Sequence, residues 1–363
     1  MGRRGDRAHD EAATPLRTLA EAPHHARHGW LGPFEMRPGG GLPEVAARQG
    51  WRGWGFGLAL LAALILVVAR ASDEREFARL LKQSAPAWLF VAVLLQAATY
   101  LSQSAVWRAV LRRTRFRVSL GALYAMSFAK LFVDQALPSA GISGAALIVH
   151  GLERRGVARG PVMACVVVET MTNYTALILA LLVALGMADW IGEARTLVWG
   201  ATAVLIALSG ALIVFLLRLS RGDGGHRPPR GFARIPGART LLHALSEAPP
   251  ELAHSARVLT EATGFNFIIH LLDAATLWAL LRAIGVDAAP TSVFTAFMLS
   301  ALARTLGVIP GGLGTFEAAS TGALTLMGVP LAAALSATVL FRGFSFYLPL
   351  LPGLWLSRGE LRE

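Results

Sequence analysis

Pro310-Gly311-Gly312-Leu313-Gly314-Thr315-Phe316-Glu317-Ala318 breaks an apolar region that is free of charge from 288 to 303 and again from 318 to 341. Proline lacks the amide a helix needs, and glycine is costly in a helix interior, so three glycines and a proline within five residues end one helix. The chain can restart at Thr315, with Glu317 in the first turn. In a soluble loop such a break is ordinary. Within a bilayer it leaves backbone groups unpaired, which is tolerated only where protein buries them or a water-filled cavity reaches them. The fold therefore depends on what surrounds the break.

The composition of the chain points to a membrane. Of 363 residues, 54% are hydrophobic and only 16% charged, too few charges to coat a soluble surface. Six windows without any charge, at 53–69, 83–107, 170–188, 196–217, 288–303 and 318–341, run 16 to 25 residues. That approaches or meets the roughly 20 apolar residues needed to cross a hydrocarbon core. A soluble enzyme, a disordered chain and a collagen are excluded. An outer-membrane barrel is disfavoured, because its strands alternate polar and apolar residues over about ten positions.

The net charge of +11 comes from 34 basic residues against 23 acidic ones. Nucleic acid is not the expected partner, because these residues sit in the connections between apolar segments. With the N-terminus taken as cytoplasmic, 25 Lys and Arg fall in the inside connections and 5 in the outside ones. Cationic residues retained on the cytoplasmic side set orientation in this way. Both termini are thus expected in the cytoplasm, in a multi-pass protein of the cytoplasmic membrane. Residues 1–53 carry eight Arg, six acids and five Pro without helical periodicity and read as a disordered basic tail. Ala69-Arg70-Ala71 mimics a signal-peptidase site, but more than fifty residues precede it, so an uncleaved anchor is expected at 54–70. Cys165 stands alone and can form no disulfide within the chain.

Parity then shapes the topology. Residues 108–117 and 150–159 are both basic and cytoplasmic, so apolar 118–149 must enter and return, interrupted at Pro138-Ser139-Ala140-Gly141-Ile142-Ser143-Gly144. By the same logic 290–330 begins and ends outside, interrupted at Pro310–Gly314. Spanning helices are expected at 54–70, 86–107, 161–187, 196–217, 264–284 and 331–356, with a cytoplasmic loop at 218–257. The expected fold is an all-α polytopic membrane domain over 54–357, with about six spanning helices and two oppositely oriented re-entrant hairpins. Repeat one, 86–187, and repeat two, 264–356, form an inverted pair. Corresponding interruptions in two inverted halves point to a transporter's central site.

The breaks supply candidate binding groups. Pro138, Gly141, Ser143 and Gly144 in the first half, and Pro310, Gly311, Gly312, Gly314 and Thr315 in the second, surround two helix N-termini suited to a phosphate. Their plainer reading is tight turns and close helix packing. Ionisable residues within apolar segments are the second signal, since each is expensive in a membrane unless paired or hydrated. Arg304 and Arg342 can grip phosphate bidentately. Glu317 can pair with either arginine, which would make it structural. Lys130 and Asp134 share a helix face at four-residue spacing and can neutralise one another. Together with Glu169 they read as charge-coupling groups. His270 and Asp273 share a helix without a further ligand, so no metal site is expected. Arg282 snorkels near a helix end. No G-x-S-x-G, HExxH, Walker or CxxC motif appears, so no catalytic residue, cofactor or enzymatic activity is expected.

The run from Pro310 through Glu317 to Ala319, followed by Arg342 and Leu348-Pro349, resembles the transmembrane region of the lysylphosphatidylglycerol synthase family, which includes stand-alone flippase-like proteins. The first half agrees, with Pro138 to Gly144, then Arg154-Arg155-Gly156-Val157 and Glu169. The chain departs from the common pattern at Ala145, Ile148 and Thr170, where many members carry charges. The resemblance spans about 86–356 and implies an inner-membrane domain that moves lipids between leaflets. No aminoacyl-transferase segment follows, so aminoacyl-lipid synthesis by this chain alone is not expected. The reading is a lipid flippase or translocation factor for a phosphate-bearing or amphipathic lipid. The alternatives are a membrane subunit of a lipid-modifying system, or a small-solute or ion carrier. Membrane lipids are the expected partners, with lipid-synthesis enzymes or a second copy of the chain as further candidates.

Overall fold

The computed structural model describes residues 84–136, 142–188, 195–220, 245–306 and 314–349, with 352, 353, 355 and 356. The expected tail at 1–53, the anchor at 54–70, most of the 218–257 loop, and Pro138, Gly141, Pro310, Gly311 and Gly312 lie outside the described residues. The rest is helical: α1 (Pro86–Leu111), α2 (Leu120–Ala136), α3 (Ile142–Arg154), α4 (Arg159–Ala188), α5 (Arg195–Ser220), α6 (Pro250–Ala253), α7 (Ala256–Ala283), α8 (Pro290–Leu306), α9 (Thr315–Leu326) and α10 (Leu331–Arg342). Among the described residues, three stretches are long and apolar enough to cross a membrane: Pro86–Leu111, Arg159–Met187 and Ala256–Ala283.

Local chemistry explains most boundaries. Pro86 opens α1, where a missing amide costs nothing. Gly314, at φ 80°, precedes α9 in a left-handed conformation that suits glycine. Two helices differ most from the sequence expectation. Helix α7 begins at Ala256 rather than 264, because the Ser255 side chain accepts from the Val258 amide and caps it earlier. The expected helix 331–356 is α-helical to Arg342 and helical again at 348–349, 352–353 and 355–356, with a distortion between. A π-helical turn over Gly343–Tyr347 follows Arg342, and the Tyr100 hydroxyl donates to the Ser345 carbonyl at 3.0 Å.

Helices α1 and α7 form the central pair and run antiparallel. The Ala85 amide bonds the Ala283 carbonyl at one end, and Arg112 pairs with Glu261 at the other. Around them the two halves repeat the same packing: α1 meets α2, α2 meets α3, α3 meets α4, and α4 returns to α1. In the same way α7 meets α8, α8 meets α9, α9 meets α10, and α10 returns to α7.

Two apolar clusters divide the described bundle. One joins Ala92 of α1, Leu177 and Leu181 of α4 and Leu277–Leu281 of α7 to the hairpin α8–α9 and to α10. The other joins Val106–Leu111 of α1, Val162–Val168 of α4 and Val258 of α7 to the hairpin α2–α3. Each hairpin therefore packs at a different end of the α1–α7 pair. Between the clusters lie the buried polar residues Gln96, Thr99, Tyr100 and Ser104 of α1, Thr172 of α4, and Asn266 and His270 of α7. Outward surfaces are apolar instead, with Phe90 at 64% exposure and Leu208 at 61%. Solvent-facing positions of a soluble bundle would be polar.

Candidate functional site

The first half gathers its charges around Glu169 on α4. One carboxylate oxygen accepts from Trp107 Nε1 at 2.6 Å; the other accepts from Gln103 Nε2 at 3.1 Å and lies 3.3 Å from Lys130 Nζ. Lys130 also reaches Asp134 at 3.1 Å. The second Asp134 oxygen accepts from the Gly144 amide at 2.8 Å, in the first turn of α3. A carboxylate there satisfies an otherwise unpaired amide and lies at the favourable end of the helix dipole. A Cβ on residue 144 would sit 2.4 Å from the Asp134 carboxyl, so only glycine admits this approach. Ser143 Oγ donates to the Val133 carbonyl at 3.3 Å, closing α3 onto α2.

The second half is built the same way with different residues. Glu317 reaches back to the Gly314 amide at 2.6 Å, and its other oxygen accepts from Arg342 Nε at 2.7 Å. The two side chains are 2% and 6% exposed, so this is a buried ion pair. The Arg342 guanidinium also stacks 4.6 Å from the Phe346 ring and 5.4 Å from the Phe316 ring. Of the two arginines open to Glu317 in the sequence, Arg342 is the one it binds. Thr315 is the first residue of α9.

A third group lies between the halves. Asp273 on α7 accepts from Gln96 Nε2 at 3.0 Å and Thr99 Oγ1 at 3.4 Å, and Gln96 also donates to Thr276 Oγ1 at 3.1 Å. Arg304 on α8 is exposed and lies within electrostatic reach of Asp273, Glu317 and Arg342. It forms no ion pair or hydrogen bond with a described residue. His270, near Arg304, is buried and its Nε2 has no partner among the described residues. Among those residues no three His, Cys, Asp or Glu side chains are grouped to hold a metal.

The structure thus brings Lys130, Asp134, Ser143, Gly144 and Glu169 together in one cluster. Gly314, Glu317 and Arg342 meet in another, with Arg304 beside it. What sequence reasoning missed is the polar stripe of α1. Gln96, Thr99, Gln103 and Trp107 recur at three- and four-residue spacing, joining Asp273 to Glu169 over about 16 Å of helix. That spacing was the available signal, hidden because none of the four is charged.

The chain is similar in sequence to two curated proteins. A protein named UPF0104 membrane protein, from Methanothermobacter thermautotrophicus, is 21% identical over 311 residues, covering 81% of this chain and 90% of the relative. The phosphatidylglycerol lysyltransferase of Bacillus subtilis is 26% identical over 100 residues, covering 28% of this chain and 12% of that enzyme. The family model described as the lysylphosphatidylglycerol synthase TM region matches residues 54–353, and the chain is a membrane protein of that family.

Proposed function

We propose that the protein is a lipid-translocation factor of the cytoplasmic membrane, moving a phosphate-bearing lipid between leaflets. The observation that carries this reading is Arg304, an exposed arginine on an apolar helix with no ion pair to a described residue. A cation at that depth is expensive unless an anion or water compensates it. It borders the polar belt where α1, α4 and α7 change from one apolar cluster to the other. In transporters built from inverted repeats the substrate site lies near this mid-depth, between the halves.

In this reading the two hairpins are re-entrant and enter from opposite faces. Helices of 13 and 12 residues, α3 and α9, extend about 20 and 18 Å, short of a hydrocarbon core of about 30 Å. Their packing at opposite ends of α1 and α7 supports the same topology, and the basic connections favour cytoplasmic termini. Arg304 holds the phosphate while the acyl chains stay in lipid. Glu317 and Arg342 fix the second hairpin; Asp134, Lys130 and Glu169 fix the first and set its charge. The chain performs no chemistry on its substrate. Proteoliposomes test the proposal with fluorescent phospholipid, polyprenyl-phosphate and glycolipid reporters. Exchange above that of empty vesicles is expected for at least one class, and none for any class overturns it.

A second reading, favoured by the match to the lysyltransferase, is a membrane subunit of a lipid-modifying system. Mass spectrometry of lipids from a deletion strain separates the two. A missing modified lipid supports the subunit; an unchanged inventory with an altered leaflet distribution supports translocation.

A further inference from the structure

A second concentration of cationic side chains lies far from Arg304, where the C-terminus of α1 meets the N-terminus of α7. Arg112, Arg113, Arg257, Thr260 and Glu261 line an open cleft of about 670 Å³. Three arginines oppose one glutamate. Arg112 spends its charge on Glu261. Arg113 and Arg257 are both exposed, and neither side chain has an ion pair or hydrogen bond to a described residue.

Arg257 is also on the unfavourable end of its helix. It is the second residue of α7, whose first turn contains no acid. The positive end of a helix dipole favours an anion, so a cation there raises the local potential further. On the other side, Arg113 follows the end of α1. The cleft therefore presents two uncommitted guanidinium groups and a helix N-terminus around one opening, an arrangement that attracts a group with several acceptor oxygens. Its depth limits the source of that group. Both helices become apolar within a few residues of the cleft, with Trp107, Val110 and Leu111 on α1 and Val258 and Ala262 on α7 in the adjoining core. The cleft thus sits where a span ends and lipid headgroups begin. Basic pockets between helices at this level bind anionic lipid headgroups.

We propose that the Arg113–Arg257 cleft is a binding site for the phosphate of an anionic phospholipid, separate from the central polar belt and independent of whether the protein translocates lipid. Glu261 holds Arg112 aside and leaves the other two arginines for the phosphodiester. The site would anchor the α1–α7 end of the bundle to anionic lipid.

Native mass spectrometry of the full chain in detergent, titrated with phosphatidylglycerol and separately with phosphatidylcholine, reads the binding directly. Retained phosphatidylglycerol is expected on the unaltered protein and about thirty-fold weaker binding on R113Q/R257Q, taking about 1 kcal/mol for each basic residue near the surface. A matched variant, R117Q/R218Q, removes two exposed charges outside the cleft. Equal loss in both variants assigns the effect to general surface charge and overturns the site, as does unchanged retention in R113Q/R257Q. Inorganic phosphate alone is the remaining arm. If it displaces phosphatidylglycerol at equal concentration, the site binds free phosphate and the lipid assignment fails. Thermal unfolding in phosphatidylcholine checks that both variants fold.

Discussion

Removing the Glu317 carboxylate should destabilise the second hairpin far more than the loss of one surface ion pair. Glu317 is 2% exposed and Arg342 6%, so E317A leaves a buried guanidinium against Phe316 and Phe346 without the Glu317 carboxylate. Breaking one side of a buried pair costs about 3–5 kcal/mol, because the remaining desolvated charge loses its counter-ion. The Gly314 amide loses its acceptor too, worth about 1 kcal/mol as a lost helix cap. Removing both charges removes most of the penalty, since apolar groups of similar volume replace a buried ion pair at little cost. The assay is thermal unfolding in detergent of E317A, R342M and E317L/R342M. E317A should lower the midpoint by on the order of 10 °C. The double variant should unfold at a higher temperature than either single one. A midpoint for E317A within about 2 °C of the unaltered protein would refute the reasoning, and so would a double variant showing the simple sum of the two losses.

The other perturbations address the first half and the stripe on α1. G144A places a Cβ 2.4 Å from the Asp134 carboxyl and must push it off the α3 amide, so a loss of about 1–3 kcal/mol is expected in the same unfolding assay. Adding D134A to G144A should cost less than D134A alone, because the Gly144 contact is already gone and only the Lys130 pair remains to be lost; full additivity would contradict this. W107F removes the 2.6 Å hydrogen bond to Glu169 and should cost about 2 kcal/mol, read as a lower unfolding midpoint. Pairing it with E169Q should give less than the sum of the two single losses, since both act on one bond.

The interruption of a helix in each half was legible in the chain because proline and glycine act locally. The described helices stop at Ala136 and Leu306, shortly before Pro138 and Pro310 in the sequence, and the next ones begin at Ile142 and Thr315. The start of α7 was less legible. Ser255 lies among the basic and polar residues of a connection, and its cap shows only once its side chain is seen accepting from Val258. Glu317 had two arginines within reach in the sequence. The choice of Arg342 depends on α9 and α10 lying side by side, which puts residues 25 apart in contact. The stripe of Gln96, Thr99, Gln103 and Trp107 escaped because a search for membrane-embedded charge passes over neutral polar side chains. Their role follows from the carboxylates of Asp273 and Glu169 on other helices. The π turn after Arg342 has no clear sequence signal beyond Gly343.

Arg304 separates this account from a purely structural one. R304Q removes a charge that pairs with no described residue, so the unfolding midpoint should change by less than about 2 °C. Its phosphate contact would be a charge-assisted hydrogen bond worth about 1.5–3 kcal/mol, so losing it should slow lipid exchange roughly ten-fold or more. The deciding measurement is the rate of fluorescent phospholipid exchange in proteoliposomes containing equal amounts of the unaltered protein and R304Q. A rate at least ten-fold lower in a variant of unchanged stability is the expected result; equal rates from the two proteins would contradict the central claim.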